Sequence, residues 1–445
     1  MKIFAIALSV LCCHFLVAHA DDPLPSWRES ASKRQIIQFV ERVTTKGTPD
    51  FVPITDRIAV FDNDGTLCCE APIPIQATYA FDEVKRLSVI EPKLKEDPMV
   101  QAALSGDIAK LLEGEHHDGL LKILALTHAG ITTTEFEERV RNWFSTARHP
   151  RFNKPYSDLV YQPMVELLKY LRANGFKTFI VSGGGADFIR VWSEQVYGIP
   201  PENVIGSTGQ TKFEIRDGKP VLIKTLDYVF VNDKEGKPVA IHQHIGRRPI
   251  ACFGNSDGDL AMLKYTTIHN PRPSFGLIVH HTDGEREYAY DAAPPSSGKL
   301  VTALQGAPIY GWSVVNMKRD WEKVWNESAS ASGVPLGKWL VEDIGGHGVV
   351  DSAQSTIEFS ADDTVSGDTC VNRFNGKLEY DGTTLKMGPL ATTRRAGPDA
   401  LMDQESRFVV ALTQIRRFRL DESGFLFLFD ADGNELMRLS KIESK

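Results

Sequence analysis

Positive charge, cysteine and long apolar runs are all scarce in this 445-residue chain, and each scarcity removes a class of protein. Lys and Arg number 50 against 58 Asp and Glu, a formal net charge of −8, so no electrostatic footprint for nucleic acid or anionic lipid is present. The six cysteines show no C-x-x-C and no His-rich zinc spacing. The apolar stretch Ile3 to Val17 is shorter than the roughly 20 residues a spanning helix needs, which leaves the mature chain without a membrane span. With Lys2 before it and the small-x-small site Ala18-His19-Ala20 after it, residues 1–20 read as a secretory signal, and the expected location is secreted, in the bacterial periplasm. Cys12 and Cys13 raise lipidation, but Ser9-Val10-Leu11 is a poor match to the small residues before a lipidated cysteine. Outside that segment lie Cys68, Cys69, Cys252 and Cys370. An oxidising compartment permits a disulfide. Adjacent Cys68 and Cys69 are poor partners for each other, while Cys252 fits a buried strand as a small packing residue. What remains, 42% hydrophobic and 24% charged, is ordinary for a folded protein of two to three domains.

The most informative stretch is Arg57-Ile-Ala-Val-Phe-Asp62-Asn63-Asp64-Gly65-Thr66, an apolar strand delivering two carboxylates onto a glycine turn. Side chains two apart on a strand face the same way, so Asp62 and Asp64 converge. Two carboxylates that close require a cation between them or a retained proton, and a metal-assisted site is the first reading. The bland alternative is a hairpin turn at Asp-Gly. Two further strands share the design. Lys177-Thr-Phe-Ile-Val runs into Ser182-Gly183-Gly184-Gly185, behind an expected helix from Pro163 to Ala173. Ile250-Ala-Cys-Phe runs into Gly254-Asn255-Ser256-Asp257-Gly258-Asp259. Ligands of open α/β sheets bind at the carboxyl ends of parallel strands, so the three ends predict one polar cleft. Each residue also has an ordinary role: Ser182 in a strand-to-helix turn, Asp257 and Asp259 around a helix N-cap.

On these residues the chain resembles the haloacid dehalogenase superfamily, and within it the phosphoserine-phosphatase-like phosphohydrolases with a helical cap. Asp62 to Thr66 matches the family's first motif and Ser182 its second. Lys237, with Pro238 and a stop at Gly246, matches the third, Lys224 and Lys234 remaining substitutes. Gly254-Asn255-x-x-x-Asp259 matches the fourth with Asn255 in place of the usual first acid, which lowers the negative charge of the metal site. Asn255, Asp257 and Asp259 all stay open as the direct ligand. The resemblance covers roughly residues 50 to 290. It implies an α/β fold, a Rossmann-like core with a parallel sheet and an inserted helical cap. It further implies Asp62 as nucleophile, Asp64 as general acid and base, Ser182 and Lys237 on the phosphoryl group, Gly183 to Gly185 presenting amides to the anion, and Mg²⁺ held by Asp62, Asp64 through its carbonyl, Asn255 and Asp259. The implied partner is a small phosphorylated substrate. Glu70 and Arg190 lie near the motifs and are candidates to touch it; as lone charges each also reads as solvated or structural.

Helical patterns fill the space between Thr66 and Ser182: Ile75 to Ser88, Met99 to Leu112, Gly119 to His128, and Thr134 to Ser145 with Thr134-x-x-Glu137 as a capping box. They predict a cap over residues of about 70–160, where specificity is expected to reside. The pairs His116-His117 and His280-His281 read as surface or local-contact histidines. The domain layout is then a signal at 1–20, a hydrolase core at 21–325, a Ser/Ala-rich linker at 326–334, and a small mostly-β domain at 335–445 interrupted by a helix from Asp399 to Gln414. This last segment resembles the META domain family through Gly337-Lys-Trp339, Val365 to Gly376, and Leu390 to Arg394 before Gly397-Pro398. A second family cysteine is missing near Gly397, so a disulfide to Cys370 is in doubt. Its partner is unknown and it shows no catalytic constellation. The leading expectation is a secreted Mg²⁺-dependent phosphomonoesterase; a phosphotransferase of the same superfamily and a non-catalytic envelope binding protein are the alternatives.

Overall fold

The structure is a computed structural model. It describes residues 22–111, 113, 118–325, 335–350, 353–360, 363–381, 384–421 and 424–442. The expected signal segment, the 326–334 linker and His116-His117 lie outside them. The chain divides into two compact units, Met1–Asn326 and Glu327–Lys445.

The first unit is built on a seven-stranded sheet of order β4-β3-β2-β1-β5-β6-β7. Its strands are β1 (Ile58–Phe61), β2 (Lys177–Gly185), β3 (Val204–Arg216), β4 (Lys219–Phe230), β5 (Ala251–Gly254), β6 (Phe275–His280) and β7 (Ser313–Asn316). Only β3 and β4 pair antiparallel; the other pairs are parallel. β1 is buried on both faces, which is why it reads as a continuous apolar run. Alternation splits it: Ala59 and Phe61 pack into a core shared with α1 (Ala31–Thr44), while Ile58 and Val60 face the opposite core. Phe61 stacks on Phe253 of β5 at 4.3 Å between centroids. In the ladder Phe61 faces both Ile180 and Phe253, so the ends of β1, β2 and β5 are level and Asp62, Ser182 and Asn255 emerge together.

The cap comprises α2 (Ile75–Ile90), α3 (Pro98–Ser105), α4 (Ile108–Leu111), α5 (Asp118–His128) and α6 (Thr133–Thr146), with a separate apolar core around Ala80, Val84, Val100 and Ile123. The pattern expected as one helix from Met99 to Leu112 is broken after Ser105 because Gly106 caps α3 with φ +72°. The N-cap falls two residues earlier than expected. Thr132, which bridges Ile223 of β4, is the N-cap of α6, and its hydroxyl accepts from the Glu135 amide. That bridge fixes which of three consecutive threonines caps the helix. The β3–β4 hairpin, turned at Asp217 and Gly218 with positive φ at both, is an element the sequence reading passes over although Asp-Gly is its signature. Around the sheet lie α7 (Gln162–Ala173), α8 (Ala186–Arg190), α9 (Ser193–Tyr197), α10 (Gly236–Ile245), α11 (Leu260–Thr267), α12 (Thr302–Tyr310) and α13 (Met317–Asp320).

The second unit is a closed antiparallel barrel in the order β10-β11-β12-β13-β14-β15-β8-β9, from β8 (Gly337–Ile344), β9 (Thr356–Phe359), β10 (Thr364–Asp368), β11 (Arg373–Asp381), β12 (Thr384–Thr392), β13 (Arg417–Leu420), β14 (Leu426–Phe429) and β15 (Glu435–Lys441). Closure removes free strand edges. α14 (Asp399–Gln414) packs Phe408 and Leu412 into the barrel core with Trp339, Ile357 and Phe374.

Candidate active site

Lys237, second residue of α10, is buried, and its ammonium bridges Asp62 at 2.7 Å and Asp259 at 2.6 Å. This is the lysine the sequence favoured over Lys224 and Lys234. Lys224 on β4 pairs with Asp187, and Lys234 is exposed at a positive-φ turn. Burial alone would favour the neutral amine, but the two carboxylates outweigh it and hold Lys237 charged. Asp62 is pushed upward first by burial and then by Asp259, with Lys237 opposing.

Asp64 takes no ammonium hydrogen bond; Asn63 Nδ2 donates to its Oδ1 at 3.3 Å, and Tyr197 in turn donates to Asn63 Oδ1 at 3.2 Å. Burial, then the negative charge of Glu70, raise the Asp64 pKa to about 7. Glu70 is buried beneath the Asp64–Gly65 turn. It accepts from Asn255 Nδ2 at 2.7 Å, Tyr290 OH at 2.8 Å and Ser297 Oγ at 2.6 Å. Gly65 has φ +74°, and a Cβ there would lie 2.1 Å from Asn255 Nδ2 and 2.2 Å from Glu70 Oε1, so only glycine fits.

The fourth motif divides its acids. Asp259 Oδ2 accepts from the Asn255 and Ser256 amides at 2.9 and 3.1 Å and Oδ1 from Lys237, so both oxygens are engaged within the protein. Asp257 accepts from the Val301 and Ala303 amides and so caps α12. Asn255 Oδ1 accepts from Thr66 Oγ1 at 3.0 Å.

Ser182 is buried, and its Oγ accepts from the Gly184 amide at 3.0 Å, leaving its own hydrogen to donate. Asn232 Nδ2 supports the Ser182 carbonyl at 2.9 Å, and Ser207 Oγ the Gly183 carbonyl at 2.7 Å. Of the three glycine amides expected to face an anion, that of Gly184 is taken by Ser182 Oγ and that of Gly185 by Gln76 Oε1 at 2.7 Å. Arg190 is not brought to this cluster: its guanidinium holds the Pro201 and Val204 carbonyls and Asp187.

Of the surface and local-contact readings of His281 the first is corrected and the second has a counterpart in Glu287, six residues on. His281 is buried, with Nε2 2.8 Å from the Gly65 carbonyl and Nδ1 3.0 Å from Glu287. Opposite an ionised Glu287 both partners are acceptors, an arrangement that favours a hydrogen on each ring nitrogen and the imidazolium form. Glu287 also accepts from Cys69 Sγ and Tyr161 OH. Cys68, Cys69, Cys252 and Cys370 are all free thiols. Sequence reasoning missed His281, Glu287, Asn232 and Gln76, none of which lies in a motif; the burial signal of the β6 strand running into His281 was the one pointer available.

The chemistry of the donors fits the Mg²⁺ the family resemblance implies. Asp62, the Asp64 carbonyl and the Asn255 amide oxygen are hard oxygen ligands. Asp62, Asp64, Glu70 and Asp259 gather there with Lys237 as the cation in hydrogen-bond contact, an excess of negative charge that a divalent ion offsets.

Residues 59–264 match the haloacid dehalogenase-like hydrolase family and residues 334–443 the META domain family. No curated protein matches the chain. Similar solved structures include a conserved protein of unknown function from Anaerococcus prevotii DSM 20548, 16% identical, covering 59% of this chain and 89% of its own, TM-score 0.41. A phosphoserine phosphohydrolase-like protein from Francisella tularensis subsp. tularensis SCHU S4 is 18% identical over 50% of this chain and 87% of its own, TM-score 0.29. A protein from Burkholderia xenovorans is 19% identical over 26% of this chain and 88% of its own, TM-score 0.23. The assignment rests on the family matches and on the motif geometry: residues 59–264 are a haloacid dehalogenase-like hydrolase domain, and residues 334–443 are a META domain.

Proposed function

We propose that the hydrolase domain is a Mg²⁺-dependent phosphomonoesterase that works through an aspartyl-phosphate on Asp62, in a protein secreted by way of residues 1–20. The observation that carries this reading is the unequal treatment of two carboxyls two residues apart. Asp62 is tied to Lys237 at 2.7 Å, whereas Asp64 feels Lys237 only through space, is hydrogen-bonded by no ammonium among the described residues, and has its pKa raised to about 7. One is suited to attack and the other to give up a proton. Asp62 attacks phosphorus, its oxygen–phosphorus bond forming as the ester bond to the leaving oxygen breaks. Asp64 delivers its proton to that oxygen, then accepts one from the water that cleaves the aspartyl-phosphate. Ser182 donates its free hydroxyl hydrogen to a phosphoryl oxygen, and Lys237 keeps its charge beside the nucleophile. Asp62, the Asp64 carbonyl and Asn255 would hold Mg²⁺, which when bound neutralises charge on the phosphoryl oxygens. The test is release of phosphate from an aryl phosphate and a panel of phosphomonoesters by the mature protein, with Mg²⁺, with EDTA, and as Asp62→Asn. Mg²⁺-dependent release that is lost in the variant is the expected result. Silence across the whole panel would sink the phosphatase reading and favour a binding role.

A further inference from the structure

Outside the acid–base cluster, a polar chain runs from the cap into the glycine turn after Ser182. Gln76 is the second residue of α2, its Oε1 on the Gly185 amide and its Nε2 3.2 Å from His128 Nε2. The other ring nitrogen lies 2.7 Å from Thr127 Oγ1, which is 2.8 Å from the Ile123 carbonyl. One assignment of hydrogens satisfies all four contacts. A carbonyl only accepts, so the Thr127 hydrogen goes to Ile123; Thr127 Oγ1 then accepts from His128 Nδ1–H, and His128 Nε2 accepts from the Gln76 amide. An imidazolium would set two N–H groups against each other. The surroundings agree: His128 is buried against Tyr79 and Phe136, with centroids at 5.6 and 4.8 Å, and Lys224 Nζ lies 4.6 Å from the Phe136 ring. Burial, then the charge of Lys224, push the His128 pKa down to about 3.

The chain ends among the reacting groups. A Cβ at Gly184 would stand 3.2 Å from Ser182 Oγ, 3.4 Å from Gln76 Oε1 and 3.5 Å from Asp64 Oδ2, and one at Gly185 would stand 2.7 Å from Gln76 Nε2, so the Gln76 side chain lies along the glycine turn beside the phosphoryl-binding hydroxyl and the proton donor, with Oε1 nearer to them and Nε2 one residue further along. With Oε1 on Gly185 and one amide hydrogen on His128, Gln76 retains a single N–H. We propose that Gln76 is a specificity residue that donates this hydrogen to an acceptor oxygen on the leaving alcohol, with His128 and Thr127 as its positioning residues. The inference rests on the phosphatase reading and narrows it. Favoured substrates carry a hydroxyl, carbonyl or carboxylate oxygen close to the ester oxygen, and a quaternary ammonium head gains nothing from this donor.

The test compares kcat and KM for glycerol 3-phosphate, phosphocholine and an aryl phosphate in the wild type and in Gln76→Ala, Gln76→Glu and Thr127→Val. The wild type is expected to prefer glycerol 3-phosphate to phosphocholine in kcat/KM. That ratio is expected to fall about tenfold in both Gln76 variants, the size of one lost hydrogen bond. Thr127→Val is expected to move it less and mainly through KM. Gln76→Glu is nearly isosteric and keeps an oxygen for the Gly185 amide, so it carries the test if the alanine variant does not fold. An active wild type without that preference, or an unchanged ratio with equal losses on all three esters, overturns this proposal alone. A wild type silent on all three esters and on the wider panel overturns the phosphatase reading and this proposal with it.

Discussion

In the proposed mechanism the residue that sets the pH behaviour is Asp64. Its raised pKa, about 7, means the carboxyl is protonated below neutrality and loses its proton as pH rises through that value. Loss of an alkyl alcohol, which needs the proton, is therefore expected to slow above about pH 7. After burial the largest cause of the shift is Glu70, so Glu70→Gln is expected to move this falling limb of the kcat profile to lower pH. A limb that stays in place on an alkyl phosphate would show that Glu70 does not act on Asp64. The same shift bears on stability with a definite sign. A carboxyl raised from 3.8 contributes stability that is full below that value and lost as pH rises through about 7. Asp62 and Asp64 were legible in the sequence because strand alternation and a glycine turn are local rules. The placement of Glu70 was not: its partners Asn255, Tyr290 and Ser297 lie 185, 220 and 227 residues away along the chain.

At the scale of elements, the segment after β6 shows how a connection supports the Asp64–Gly65 turn. It sends His281 under the Gly65 carbonyl and brings Glu287 back against the ring, with Tyr290 stacked on His281 at 4.3 Å. Burial lowers the His281 pKa, but Glu287, then Glu70 and the Gly65 carbonyl, raise it above its ordinary value on balance. The sign follows: this stabilisation is fully present below pH 6.5 and is lost as pH rises through the higher folded value. His281→Phe leaves Glu287 buried without its cation, and a loss of about 3–5 kcal/mol in denaturant unfolding is expected. A loss below about 1 kcal/mol would argue against a charged pair. The expected helices at α2, α5, α6, α7 and α14 were placed to within a turn and Gly246 closes α10 as expected, while α1 was not foreseen and the Met99–Leu112 pattern is two helices. α10 begins at Gly236, two residues before the expected Pro238 start, and α6 is set by a bridge to β4, a contact no local pattern encodes.

At the scale of the whole molecule, each unit has an apolar core of its own, one set around Phe61, Val60 and Val84, the other around Trp339, Phe374 and Phe408. A chain ending at Asn326 is expected to keep Asp62-dependent hydrolysis and a cooperative melting transition, and failure to fold would show that the barrel stabilises the hydrolase unit. Added Mg²⁺ is expected to raise the melting temperature of that shortened chain, since a ligand held only by the folded state stabilises it. Among the described residues no helix is long and apolar enough to cross a membrane. By itself the sequence determined what short-range rules govern: the two-carboxylate strand, the order of strand ends that face one cleft, the cap helices, and the change to short strands after residue 335. Only the tertiary structure decided that Lys237, favoured by its helix start, bridges Asp62 and Asp259, that Asp257 caps a helix, and that Gln76 and His128 reach the glycine turn. Those choices turn on contacts between segments far apart in the chain, fixed by burial and hydrogen-bond satisfaction and not by periodicity.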